Sequence, residues 1–246
     1  MVTPLLTSAG RTSRRRAAPA VAALLLPLLA ACGSGSSTTA QDQNPQSPTR
    51  TTSGSPSGVT CDYADAPQGA TGHPTKPPST PDVQGTLSLS IHSSIGVLNG
   101  QLDADKAPCT VNSFASLAKQ GFFAKTPCHR LTTAPSPIFV LQCGDPTGTG
   151  TGGPGYTVPD EFSDTDTYGP GTLAMANTQQ PNSGGSQFFI VYRNSPLPPK
   201  YTVFGHVDPA AVKAIRKTAE KGTDDAYGQG DGHPTVSVTI DSVTVG

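Results

Sequence analysis

The chain has 246 residues, enough for one domain of good size with appendages. Its net charge is −1 and only 13% of its residues are charged, with no basic stripe after Arg16, so nucleic acid is not expected as a partner. Its 27 glycines and 25 prolines point away from a helical bundle and toward a β-rich, loop-rich fold with a disordered segment.

Arg11 and Arg14-Arg15-Arg16 form a basic leader, and Ala17 to Ala31 is an apolar stretch too short for a comfortable membrane span. It ends in Leu29-Ala30-Ala31-Cys32, which resembles a bacterial lipobox. That resemblance implies that residues 1–31 are a removable signal peptide and that Cys32 is lipidated. The protein is then exported and lipid-anchored on the outer face of the bacterial cytoplasmic membrane. The competing readings are an ordinary secretory signal, or an uncleaved anchor, with Cys32 incidental. Twin-arginine export is a further alternative, but the residues flanking the arginines match it poorly.

Residues 32–81 read as the lipidated cysteine and a flexible tether. Positions 33–58 are Ser, Thr, Gln, Gly and Pro, with almost nothing apolar to offset the entropy of ordering. Positions 59–81 are still rich in Pro and Gly but contain Cys61 and Tyr63, so a disulfide there would pin the arm to the body. Besides Cys32 there are four cysteines, Cys61, Cys109, Cys128 and Cys143. An even number in an exported chain is consistent with two disulfides, and three pairings are open. No pair has the CxxC spacing of a zinc site, and no Cys/His pair has a visible orienting partner for a thiol nucleophile.

The folded domain is expected over residues 82–246. Leu87, Leu89 and Ile91 alternate with Ser88, Ser90 and His92, the pattern of a half-buried strand, and a second strand follows at 95–102. Ala107-Pro108 opens a helix whose apolar positions include Val111, Phe114 and Leu117, and Gly121 ends it. Strands are expected at 127–132, 138–143, 172–176, 187–192 and 202–206. A second helix is expected from Pro209 to Lys221. A closing strand over 235–245 has an irregularity near Asp241-Ser242. Seven or eight strands in hairpins with two helices suggest a closed β-barrel capped by helices.

The glycine run Gly148 to Gly153 is followed by neither a Gly-Lys-Ser/Thr nor a helix, so it is not a phosphate-binding loop. Gly185-Ser186-Gln187-Phe188 lacks the second glycine of a nucleophile elbow, and Ser186 precedes a strand rather than a helix. What remains is Arg130, Phe139, Gln142, Asn177, Gln187 and Phe189. In a hairpin, Arg130 and Gln142 are cross-strand neighbours. Gln187 and Phe189, two apart, share a strand face. Phe188 points the other way, into the core. The set holds no strong base and no nucleophile, which suits orienting a peptide rather than breaking one.

His129-Arg130-Leu131, Leu141-Gln142-Cys143-Gly144-Asp145, Gly150-Thr151-Gly152-Gly153, Met175-Ala176-Asn177, Gly185-Ser186-Gln187-Phe188-Phe189-Ile190 and Val203-Phe204-Gly205 occur in one order along residues 85–245. In that order the chain resembles the cyclophilin family of peptidyl-prolyl isomerases. The resemblance implies a mainly β fold, an eight-stranded antiparallel barrel with a helix at each end. The implied activity is cis/trans rotation of X-Pro bonds in exported polypeptides. It assigns catalysis to Arg130 and Gln142, and substrate binding to Phe139, Val140, Ala176, Asn177, Gln187, Phe189, Leu197 and Tyr201. It implies a monomer and needs no metal or cofactor. The chain departs from the family in four ways: a longer hairpin tip at Thr132 to Pro137, Val140 in place of a usual Met, Pro196 near a common Trp, and Tyr201 where His is frequent. A proline-peptide binding module with little or no activity on the same barrel is the alternative.

Overall fold

The computed structural model describes residues 58–246. The expected signal peptide, Cys32 and the first part of the tether lie outside them. The alternation in the first strand is realised in β1 (Thr86–Ser93), where Leu89 and Ile91 are buried while Ser88 and His92 face solvent. It pairs along its whole length with β2 (Gly96–Asp103). Then follow α1 (Pro108–Lys119), β3 (Thr126–Pro127), β4 (Arg130–Thr132), β5 (Val140–Cys143), β6 (Thr172–Met175) and β7 (Phe188–Val191). The chain ends with β8 (Val203–Val207), α2 (Pro209–Ala219), β9 (Asp231–Gly232) and β10 (Thr239–Val245). No helix among the described residues is long and apolar enough to cross a membrane.

All strands join one curled antiparallel sheet in the order β3-β10-β1-β2-β8-β6-β7-β5-β4-β9. The mainly β architecture with two helices is the expected one: eight strands of three residues or more, with the two-residue β3 and β9 at the edges. The single strand expected over 127–132 is divided, for a topological reason. β3 pairs with β10 at one edge of the sheet, whereas β4 pairs with β5 and β9 at the other. Only Cys128 and His129 lie between them, so the chain itself ties the two edges together. The closing strand is shorter than expected and begins at Thr239. Its irregularity falls where the register against β1 shifts and skips Asp241.

The core is lined by Leu89, Ile91, Leu102, Phe114, Phe188 and Phe204, among others. α1 packs over β10 and β2, inserting Phe114 edge-on against Phe188 with ring centroids 5.4 Å apart. Its N-cap, Ala107, has no side chain to offer the free amides, and Glu161 takes that role from a distant loop. Its two carboxylate oxygens accept from the amides of Cys109 and Thr110, both at 2.8 Å.

The second part of the tether, 59–81, in which a disulfide at Cys61 was expected to pin the arm, is ordered chain. Residues 59–81 lie on the body, held by the Cys61–Cys109 disulfide. Tyr63 is buried beside that bond and donates its hydroxyl to the Cys109 carbonyl at 2.8 Å. The disulfide, buried Tyr63 and Pro77, and backbone hydrogen bonds from Ala66 and Thr71 to residues 153–155 together offset the flexibility that the Pro/Gly composition suggested. The second disulfide, Cys128–Cys143, joins the link between the sheet edges to the end of β5.

Candidate active site

The sheet builds the site as one row of directly paired residues. Arg130 faces Gln142 across β4–β5, Gln142 faces Phe189 across β5–β7, and Phe189 faces Ala174 across β7–β6. Ala174 in turn faces Val203 across β6–β8. Paired residues project to the same side of a sheet, so these five side chains share its outer face. The adjacent row, Leu131, Leu141, Ile190 and Leu173, turns inward and lies in the main core. The outer row is thus polar at its Arg130 end and apolar from Phe189 onward.

A cleft of about 180 Å³ opens over this row. It brings together Arg130, Val140, Gln142, Ala176, Asn177, Phe189, Leu197 and Tyr201 from the expected set. Phe189 is buried and forms the floor, with the Tyr201 ring standing edge-on to it at 5.3 Å. Tyr168, which carries no local signal of a role, supports both rings from behind. Its hydroxyl donates to the Tyr201 carbonyl and accepts from the Tyr201 amide, both at 3.0 Å. Asn177 spends its side chain on the surrounding loops: its Nδ2 donates to the Lys200 carbonyl at 2.8 Å and its Oδ1 accepts from the Gln179 amide at 3.1 Å.

Two expected cleft residues lie elsewhere. Phe139 is turned away; its ring packs edge-on against Tyr192 at 5.9 Å, with the Arg193 guanidinium 5.5 Å above it. The reason is alternation: Val140 and Gln142 face the cleft, so the position before Val140 faces away. The Phe139 amide and carbonyl are also fixed, bonding Ser195 Oγ at 2.8 Å and the Tyr192 amide at 3.0 Å. Ile138 lines the cleft in its place. Gln187 is the second. It precedes β7 and lines a neighbouring groove, and it reaches the cleft only through Gln142.

That connection is a chain of hydrogen bonds. Gln142 Nε2 donates to Gln187 Oε1 at 2.9 Å, and Gln187 Nε2 donates to the carbonyls of Gly150 and Gly152 at 2.9 and 3.0 Å. The glycine loop is itself drawn around Asp145. The Gly150 and Gly152 amides donate to its Oδ2 at 2.6 and 3.1 Å, and the Thr147 amide donates to its Oδ1 at 2.7 Å. A Cβ on Gly152 would fall 2.0 Å from Asp145 Oδ1, so only glycine allows the loop this close. Burial alone would raise the Asp145 pKa, but these hydrogen bonds outweigh it and hold the carboxyl below its ordinary range.

Arg130 is gripped from the other side. Its Nε and Nη2 donate to Asp231 Oδ1 and Oδ2 at 2.8 and 2.6 Å, a bidentate pair, while Nη1 approaches Gln142 Oε1 at 3.4 Å. The hydrogen bonds that Arg130 donates to Asp231 raise the Arg130 pKa against the opposing effect of burial. Three of the five guanidinium N–H groups are occupied, leaving two for a ligand. Asp231 was missed in the sequence. A half-buried Arg calls for a carboxylate, but choosing among Asp224, Asp225 and Asp231 requires the β4–β9 pairing. Beside Arg130, His129 is buried with neither ring nitrogen hydrogen-bonded within the described residues, and burial pushes its pKa down.

Residues 86–245 match the family model for cyclophilin type peptidyl-prolyl cis-trans isomerase/CLD. The chain is 46% identical over 202 residues to a probable peptidyl-prolyl cis-trans isomerase B of Mycobacterium tuberculosis, covering 76% of this chain and 64% of the relative. The Mycobacterium leprae counterpart is also 46% identical, over 76% of this chain and 66% of the relative. The chain therefore spans less than two thirds of the length of these relatives. A solved Cryptosporidium parvum cyclophilin type peptidyl-prolyl cis-trans isomerase superposes with a TM-score of 0.56 at 27% identity, over 65% of this chain and 98% of that one. A structure of the same protein in the presence of the dipeptide Ala-Pro gives a TM-score of 0.54 at 26% identity, with the same coverage.

Proposed function

The chain belongs to the cyclophilin-type peptidyl-prolyl cis-trans isomerase family, and on that premise we propose that it accelerates rotation about X-Pro bonds in polypeptides. The observation that carries this reading is the Arg130 guanidinium, fixed by Asp231 and Gln142 at one end of an apolar cleft floored by Phe189. The uncatalysed barrier, ~18–20 kcal/mol, comes from amide resonance. Rotation breaks that resonance and returns a lone pair to the proline nitrogen. A fixed N–H donor bonds that lone pair only in the twisted amide, so it lowers the barrier without tightening the ground state.

In this mechanism the proline ring packs on Phe189, between Val140, Leu197 and Tyr201, and Arg130 donates to the imide nitrogen. Gln142 orients Arg130 and the carbonyl before proline, and Gln187 holds Gln142. The main chain of Asn177 holds the peptide backbone. No bond to the protein forms or breaks. The test is a rate measurement on a short X-Pro peptide with wild type and Arg130→Ala. Catalysis by the wild type and a loss of about two orders of magnitude in kcat/KM in the variant support the reading. Equal rates at the uncatalysed background overturn it.

A weakly active proline-peptide binding module is the second reading, favoured by one observation: Phe139 is turned out of the cleft. Peptide binding without rate enhancement in the same assay would select it.

We place the folded domain outside the cytoplasmic membrane, tethered through lipidated Cys32 after removal of residues 1–31. Support comes from the Leu29 to Cys32 motif and from two disulfides, which persist in oxidising surroundings. Cys32→Ala is expected to move the protein from membrane to soluble fractions, and unchanged retention counts against the lipid.

A further inference from the structure

Beside the proline cleft lies a second groove of about 660 Å³, which shares Gln142, Ala176 and Asn177 with it. The two are therefore one continuous depression, and a chain whose proline fills the small end must lay its neighbouring residues toward or away from the large one. One wall of the large groove is the glycine loop with Gly184 and Gly185. Another wall is supplied by the N-terminal arm, through Ala66, Gln68 and Gly69.

The arm is built into this position. Ala66 N donates to Gly155 O and Thr157 N to Ala64 O, each at 2.9 Å. Gly153 N donates to Gly69 O at 2.9 Å and Thr71 N to Gly153 O at 3.0 Å. It thus touches residues 153–157 through two isolated bridges, antiparallel at Asp65–Tyr156 and parallel at Ala70–Gly153. At Gly69, φ is +72° and a Cβ would fall 2.3 Å from the Thr151 carbonyl oxygen, so the closest approach requires glycine. The base of the arm is fixed by the Cys61–Cys109 disulfide and by buried Tyr63.

We propose that arm residues 64–71 are part of the substrate-binding surface, walling a groove that takes small, uncharged residues flanking the isomerised proline. The proposal rests on the isomerase reading above and extends it to the choice of polypeptide. The size of the groove, several times that of the proline cleft, leaves room for more than one residue. Its chemistry gives the preference. Among the described residues no Lys, Arg, Asp or Glu lines it. A charged flanking side chain entering it gives up water and finds no partner, whereas Ala, Ser or Gly enters at little cost. Backbone amides and carbonyls of the glycine-rich wall are close enough to the surface to meet an extended peptide.

The test compares an Ala-Pro tetrapeptide with a ten-residue peptide carrying Ser and Ala on both sides of the proline, by NMR exchange on the full folded domain. The wild type is expected to favour the longer peptide. In Ala66→Glu, which fills and charges the groove, the ratio of kcat/KM for long over short peptide falls roughly fivefold. A long peptide with Lys flanking the proline is expected to be poorer than the Ser/Ala version by a similar factor in wild type. An unchanged long-to-short ratio in Ala66→Glu, or equal rates for the Lys and Ser/Ala peptides, overturns the proposal. Amide shifts of residues 64–71 on adding the long peptide report the groove independently of turnover. If the wild type fails to catalyse either peptide, the isomerase reading falls. The arm surface then stands if those shifts move and falls if they do not.

Discussion

Asp231 and Arg130 form a bidentate ion pair across the β4–β9 edge of the sheet, with donor–acceptor distances of 2.8 and 2.6 Å. The pair is neither buried nor free, since the two side chains are 31% and 20% exposed. An exposed pair contributes about 0–1 kcal/mol and breaking a buried one about 3–5 kcal/mol, so this one belongs between those limits. Its larger effect is to aim the guanidinium. Asp231→Asn keeps the shape and removes the charge. kcat/KM is expected to fall about tenfold, carried by kcat with KM nearly constant, because Arg130 stays in the cleft but is no longer fixed. Asp231→Glu should recover part of the loss. A drop confined to thermal stability would make Asp231 a structural partner only.

Phe189 and Phe139 separate binding from packing. Phe189→Ala removes the buried floor of the cleft, and such truncations destabilise by about 3–5 kcal/mol. The milder Phe189→Leu should preserve folding and raise KM several-fold. Phe139→Ala should leave KM almost unchanged and reduce stability by about 1–2 kcal/mol through lost contact with Tyr192 and Arg193. A KM effect for Phe139→Ala as large as that of Phe189→Leu would show that Phe139 swings into the cleft.

His129 predicts an acid-side weakness. Its imidazole is buried and unpaired within the described residues, and its pKa is depressed by burial. The unfolded chain takes up this proton near pH 6.5, while the folded chain resists until lower pH. Between those points the unfolded state binds more protons, so stability falls as pH drops below about 6.5. Urea unfolding at pH 7.5 and 5.5 should show this loss in wild type and a smaller one in His129→Leu. The same slope in both proteins would assign the acid sensitivity to other groups, with Asp145 acting only at lower pH because its carboxyl titrates below the ordinary range.

The disulfides should contribute unequally. Cys61–Cys109 encloses 48 residues of separation and Cys128–Cys143 encloses 15. Loop-closure entropy then gives about 4 kcal/mol for the first and about 3 kcal/mol for the second. Replacing each pair with alanine and measuring unfolding in urea checks the order. A greater loss from the shorter loop would point to native-state packing around Cys143 as the controlling factor.

Much of this architecture was legible in the sequence because it rests on period-two alternation. Leu89 and Ile91, or Gln142 beside Leu141, face the sides that alternation assigns them, and helix α1 begins at its proline. Applied strictly, alternation would also have turned Phe139 away. What escaped was set by contacts between distant segments. Nothing local marks Asp231 over its acidic neighbours, and Cys61 and Tyr63 show that the arm can be pinned but not that Cys109 is the partner. The break at Cys128-His129 is likewise invisible locally, since it exists only because β3 and β4 belong to opposite edges.

Those opposite edges carry a further consequence. An open sheet normally presents a row of unsatisfied amides and carbonyls along its outermost strands, a template for any extended chain nearby. Here both outermost strands, β3 and β9, are two residues long, and the Cys128-His129 link runs from β3 directly to β4, the neighbour of β9. On the proposed function, the protein meets extended segments of its substrates constantly. With so little free edge to offer, it can hold a proline-containing segment in its cleft without recruiting that segment, or a second copy of itself, into the sheet.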